Sequence, residues 1–153
     1  MPRIMSALLL GLITVGLASS QPVPGKPSLR ERAAQGDADA QFTLGKNYEA
    51  GRGGLTRDFA EAERWYRRAA EQGDVFAQAS LGILHRFGKG VPQDYIQAYQ
   101  WFYLAAAHST GGEQESIAEM RDSTAAHMTP EQKAQALKLA QAWKPKAPAA
   151  VDK

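Results

Sequence analysis

The chain has no cysteine in 153 residues, which excludes a disulfide framework and any thiolate metal site and leaves side-chain packing to hold the fold. A dominant charge is missing as well: 18 basic residues face 16 acidic ones, for a net charge of +2. That balance gives no general pull toward nucleic acid or anionic lipid. A hydrophobic content of 44% over this length suits one domain with a buried core.

Long apolar runs are confined to the start of the chain. Arg3 precedes an apolar stretch over residues 4–17, interrupted only by Ser6, Gly11, Thr14 and Gly16, and Ala18-Ser19-Ser20 supplies small residues for cleavage. The run falls short of the roughly 20 apolar residues that cross a bilayer. Residues 1–20 therefore read as a secretory signal peptide cut after Ser20, placing the mature chain in the periplasm or outside the cell. Only Arg3 is lost from the charge balance, which moves from +2 to +1. No stable membrane insertion is expected after cleavage.

Catalytic constellations are absent too. His85, His108 and His127 fall in three different expected helices, with no His-Glu-x2-His and no i, i+4 pair, so a zinc site has no sequence support. The glycines from Gly82 to Gly88 enclose five residues where a phosphate-binding Walker loop has four, and Lys89 precedes Gly90 instead of Ser or Thr. Arg64, Arg67 and Arg68 are interleaved with Glu61, Glu63 and Glu71, the pattern of a solvated helix face with paired charges. No cofactor is expected, no catalytic residue is assigned, and the chain reads as a non-enzyme.

What the chain does contain is an internal repeat. The stretch from Ala33 to Gly45 returns from Ala69 to Gly82, Gly51-Arg52-Gly53 returns as Gly88-Lys89-Gly90, and Ala62, Trp65, Tyr66, Ala69 and Ala70 return as Ala98, Trp101, Phe102, Ala105 and Ala106. The offset is 37 residues at first and 36 later. Each unit predicts two helices: Ala40, Leu44 and Tyr48 share one face, and Ala62, Trp65, Ala69 and Gln72 follow amphipathic spacing.

Asp37, Asp58, Asp74 and Asp94 stand where N-caps belong, Asp58 with Glu61 and Asp94 with Gln97 read as capping boxes, and Gly36, Gly51, Gly73 and Gly88 mark helix ends. Small residues at Gly45, Gly82, Ala69, Ala70, Ala105 and Ala106 let helices approach, with Trp65 and Trp101 expected between layers; Ala77, Leu81 and Ala98 complete the framework. One helix pair cannot bury that face alone, so the units stack.

The pattern Ala-x3-Leu-Gly, Gly-x-Gly, an Asp cap and Ala-x2-Trp-Tyr/Phe-x2-Ala-Ala resembles the Sel-one-like repeat, a relative of the tetratricopeptide repeat, in an exported bacterial member. The resemblance implies an all-α fold, a short right-handed α/α solenoid of helix-turn-helix repeats with a C-terminal capping helix. The expected organisation is a Pro-rich linker over 21–27, a repeat domain over 28–143 and a flexible tail over 144–153. Within the domain, units span about 37–73 and 74–108, and a terminal half unit and cap span 112–143. Ser28 with Glu31 opens a short leading helix. A last helix starts at Thr129-Pro130-Glu131-Gln132, and its Leu137, Ala140 and Trp143 are expected to seal the final layer.

Solenoids of this kind bind through the concave surface of their first helices. By that analogy Phe42, Lys46 and Glu49 in the first unit and Phe76, Ile83, Arg86 and Phe87 in the second line a groove for another protein or peptide, although Phe76 and Phe87 could equally pack against the next layer. The leading function is thus a protein-interaction scaffold of the cell envelope. Penicillin-associated relatives make a cell-wall-related ligand-binding protein or hydrolase the alternative, but the chain has no Ser-x2-Lys and none of their cysteines. A third possibility is an organising subunit whose short array is completed by another protein's helices.

Overall fold

A computed structural model describes residues 25–148; the expected signal peptide and most of the linker after it lie outside these. The described residues form helices α1 (Leu29–Ala34), α2 (Ala38–Ala50), α3 (Phe59–Glu71), α4 (Val75–Phe87), α5 (Tyr95–His108), α6 (Gly111–Ala125) and α7 (Pro130–Ala142), with no strand among them. The fold is an all-α helical repeat solenoid in which α2 pairs with α3, α4 with α5, α4 stacks on α3 and α6 on α5.

Local chemistry sets the boundaries. The carboxylate of Asp37 accepts from the Ala40 N–H at 3.0 Å, that of Asp74 from Ala77 at 2.7 Å, and those of Asp58 and Asp94 from two N–H groups each. These caps satisfy donors that the first helical turn leaves free. Reciprocal capping boxes form at Ser28 with Glu31 and at Thr129 with Gln132. The boxes expected at Asp58 and Asp94 are only half made. The reason is that the Asp58 N–H already donates to the Tyr48 carbonyl and the Asp94 N–H to the His85 carbonyl, each at 2.9 Å, so Glu61 turns outward to Arg64.

Within each unit an aromatic ring lies on a glycine. A Cβ at Gly45 would stand 2.6 Å from Cδ1 of Tyr66, and one at Gly82 would stand 2.6 Å from Cε1 of Phe102. Both rings are fully buried, a burial worth about 1.5–3 kcal/mol each. Trp65 and Trp101 occupy matching places one layer apart. Trp101 is buried among Ala62, Tyr66, Ala77 and Leu81, while Trp65 packs on Ala33, Ala40 and Leu44 beneath the Arg68 guanidinium, 4.5 Å from its ring. Trp65 stays half-buried because only the six-residue α1 covers it.

Three glutamines rivet successive layers. Gln41 donates to the Ala33 carbonyl at 3.0 Å, Gln78 to the Ala70 carbonyl at 3.2 Å and Gln114 of α6 to the Ala106 carbonyl at 3.2 Å, so each reads the end of the helix before its own.

The array closes differently from its interior. The 36-residue offset between the caps Asp74 and Thr110 puts Ala118 of α6 where α4 has Gly82, so a methyl group stands where the bed for an aromatic ring would be. Accordingly α7 leaves α6 and lies along α5. It runs in the same direction: His127 stacks on Tyr95 at one end, with centroids 5.1 Å apart, and Trp143 meets His108 at the other. Thus Ala140 and Trp143 join the central cluster instead of sealing a last layer. His127, expected inside a helix, occupies the turn between α6 and α7. Residues 144–148, expected as tail, lie outside any helix and meet the end of α3, where the Lys146 N–H donates to the Glu71 carbonyl at 2.7 Å.

Replacing Gly82 with alanine is expected to lower unfolding free energy by about 1–3 kcal/mol, since the added methyl forces the Phe102 ring off its bed. Gly112→Ala, at an open helical site with nothing within 4 Å, should be neutral or stabilising by up to about 1 kcal/mol. Urea denaturation of the two variants beside the parent checks both signs.

Candidate binding surface

On α2 the side chains of Phe42, Lys46 and Glu49 recur at i, i+4 and i+7, which places them on one face. The Phe42 ring lies 5.7 Å from Tyr66 and stacks on Phe76 of the following layer, with centroids 5.9 Å apart and planes at 29°. Above it sits the Lys46 ammonium, 5.5 Å from the ring centre, a cation–π arrangement. Phe76 remains 49% exposed. These three residues therefore form an aromatic step with a cation beside it, spanning the seam between the two units.

Glu49 is turned to another use. Its carboxylate accepts from the Tyr66 hydroxyl at 2.6 Å, and burial together with this partner pushes the phenol far above its ordinary range. It anchors the ring that lies on Gly45 and is only half-exposed.

The remaining expected residues separate from that step. Ile83 packs on the cluster that includes Phe102 of α5 and Ile117 of α6, and the Arg86 guanidinium donates to the Ser123 hydroxyl at 2.5 Å and to the Met120 carbonyl at 3.4 Å. The expectation of an open groove wall at Ile83 and Arg86 is thus corrected: α6 lacks the Leu-Gly signature yet still stacks, and it engages both. Phe87 is 59% exposed at the end of α4, flanked by Arg86 and Lys89 at 5.3 and 5.9 Å. Lys89 also sits 5.8 Å over Phe59.

Sequence reasoning missed a polar group between α3 and α4. Arg67 donates to Glu63 at 2.7 Å and lies 3.3 Å from Nε2 of His85. His85 is buried and its Nδ1 has no partner among the described residues. The offset places His85 where the first unit has Tyr48, a packing position, and that correspondence was the available signal. Among the described residues no three His, Asp or Glu side chains converge as metal ligands.

The Sel1 repeat model matches residues 38–74 and 75–109, so each match coincides with one helix pair. A Sel1 repeat protein of solved structure from Oxalobacter formigenes is 30% identical, with a TM-score of 0.50, and the alignment covers 72% of this chain and 95% of that one. The chain belongs to the Sel1 repeat family.

A protective antigen of uropathogenic Escherichia coli with an SLR fold is 35% identical over 82% of this chain and 29% of that chain, with a TM-score of 0.69. Among curated relatives, an ERAD-associated E3 ubiquitin-protein ligase component of Arabidopsis thaliana, HRD3B, is 34% identical over 76 residues, and mouse protein sel-1 homolog 2 is 50% identical over 44. The chain spans only 12% and 6% of their lengths. Sel1-repeat proteins are in general protein-interaction scaffolds.

Burial first, and the neighbouring Arg67 charge second, lower the His85 pKa below its ordinary 6.5, against weaker opposing pulls from Glu63 and Asp94. The folded state therefore holds fewer protons than the unfolded chain between the two values. The stability this supplies is complete above pH 6.5 and is lost as pH falls through the folded value. Comparing urea midpoints of the parent and His85→Gln at pH 7.5 and 5.5 should show a larger acid loss in the parent.

Proposed function

We propose that this Sel1-repeat chain is a non-catalytic protein-interaction scaffold of the cell envelope that holds a partner protein on the face carrying Phe42, Lys46 and Phe76. The observation that carries the reading is the exposed Phe42–Phe76 stack across the seam of two units, beside the Lys46 ammonium. Half-exposed aromatic anchors flanked by a cation are what protein interfaces enrich at their energetic centres. The framework residues around the stack are all committed to packing. Relatives are named as a ubiquitin-protein ligase component and a chitin synthase regulator, names in keeping with such a role.

Export through residues 1–20 is part of the same proposal, supported by the Arg3 charge, the short apolar run and the small residues at 18–20. N-terminal sequencing of the protein from an envelope fraction should begin at Gln21; a retained Met1 would refute this part.

A photo-crosslinking residue at position 76 in living cells should yield discrete protein adducts, whereas one at exposed position 139 on α7 should not. Adding Lys46→Glu and Phe42→Ala should reduce the position-76 adducts about tenfold or more, equivalent to losing one strong anchor. Equal adducts from both positions, or adducts indifferent to the two substitutions, would reject the surface.

A further inference from the structure

The turns that follow α1, α3 and α5 recur every 36 or 37 residues and so stand in register along one edge of the solenoid. Residues 143–148 cross that edge outside any helix, starting from the extended backbone of Trp143. Trp143 lies 6.2 Å from His108 at the end of α5. Three residues later Lys146 reaches the end of α3, where its N–H donates to the Glu71 carbonyl at 2.7 Å and its ammonium stands 3.1 Å from the Glu71 carboxylate. Ala147 and Pro148 continue to the turn after α1 and, with Ala34, Gly36, Arg68 and Gln72, line a cavity of about 380 Å³.

The step length has a physical basis. Three residues of extended proline-type chain advance about 9 Å, which matches the 8–10 Å between packed helices. An extended segment thus meets one turn of the solenoid with every third residue. Pro145 and Pro148 fix the backbone in that form and have no N–H to leave unpaired, while Lys146 between them supplies both contacts to Glu71.

The resident segment is held lightly at this point. Its ion pair is exposed, with Lys146 at 68% and Glu71 at 31%, and such pairs add little. Its advantage is the tether, which presents it at an effective concentration in the millimolar range. The cavity that Lys146, Ala147 and Pro148 line leaves room on the same track.

We propose that this edge is a second docking track, shaped for an extended Pro-Lys-x-Pro segment of a partner protein, and that residues 145–148 are its tethered occupant, displaced when the partner binds. The track shares no residue with the Phe42–Phe76 surface, so it stands apart from the proposed scaffold face.

The probe is a fluorescein-labelled peptide, Ala-Trp-Lys-Pro-Lys-Ala-Pro-Ala, copying residues 142–149 and titrated by fluorescence polarisation against the full chain. Lys146→Glu, which weakens the occupant, should bind it at least tenfold more tightly than the parent. Glu71→Lys alone should bind the same peptide more weakly than Lys146→Glu does, and should prefer a peptide whose second lysine is replaced by glutamate. Phe76→Ala added to Lys146→Glu should leave the affinity unchanged. Equal affinity of parent and Lys146→Glu, the same tight binding in Glu71→Lys, or loss of binding with Phe76→Ala would each overturn the track, the last by assigning the peptide to the concave surface. Circular dichroism melts confirm that each variant is folded.

Discussion

The closure of a ring on a glycine is the contact on which the rest of this solenoid depends. Tyr66 on Gly45 and Phe102 on Gly82 bring two helices of a unit closer than any side chain at the glycine would permit. That approach presses Ala62, Ala69, Ala98 and Ala105 into full burial, and close packing of small residues makes the interior intolerant of added volume. Because the same contact recurs in both units, the layers repeat with the same geometry, and the edge turns and the exposed faces of α2 and α4 fall into register.

How the array ends follows from where this contact fails. With Ala118 in the glycine position, α6 has no bed for a ring, and Glu113, Glu115, Glu119 and Asp122 are exposed on it. A polar outer helix of this kind is how solenoids stop stacking. The chain then returns over itself: α7 follows α5, Trp143 enters the central cluster, and the segment to Pro148 crosses back toward α1.

The two units are not identical in their polar interior. In the first, the Gln41 carbonyl oxygen accepts from Gln72 at 2.7 Å. At the matching place in the second, the Gln78 oxygen has no partner, because His108 replaces Gln72 and engages the Leu104 carbonyl of its own helix at 2.8 Å. An unmet buried acceptor costs free energy, and together with the bare Nδ1 of His85 and Nε1 of Trp101 it makes the second unit the more polar and less completely bonded of the pair.

Periodicity by itself determined the helix pairs, the four aspartate caps, the glycine helix ends and the equivalence of Trp65 and Trp101, since each rests on contacts within a few residues or on a strict offset. Two things were out of its reach. The half-made boxes at Asp58 and Asp94 depend on carbonyls ten and nine residues back in the chain, and the occupation of Ile83 and Arg86 depends on a terminal helix whose own pattern had degenerated. Spacing placed Phe42 and Phe76 on exposed faces, but only the stacking of layers set one ring on the other. Likewise, nothing local marks residues 144–148 as anything but tail: their position is decided by where α7 ends and by the Glu71 carbonyl, 75 residues before Lys146. Local chemistry fixes the elements of a repeat, and the long-range closure of the chain decides which of their surfaces remain open.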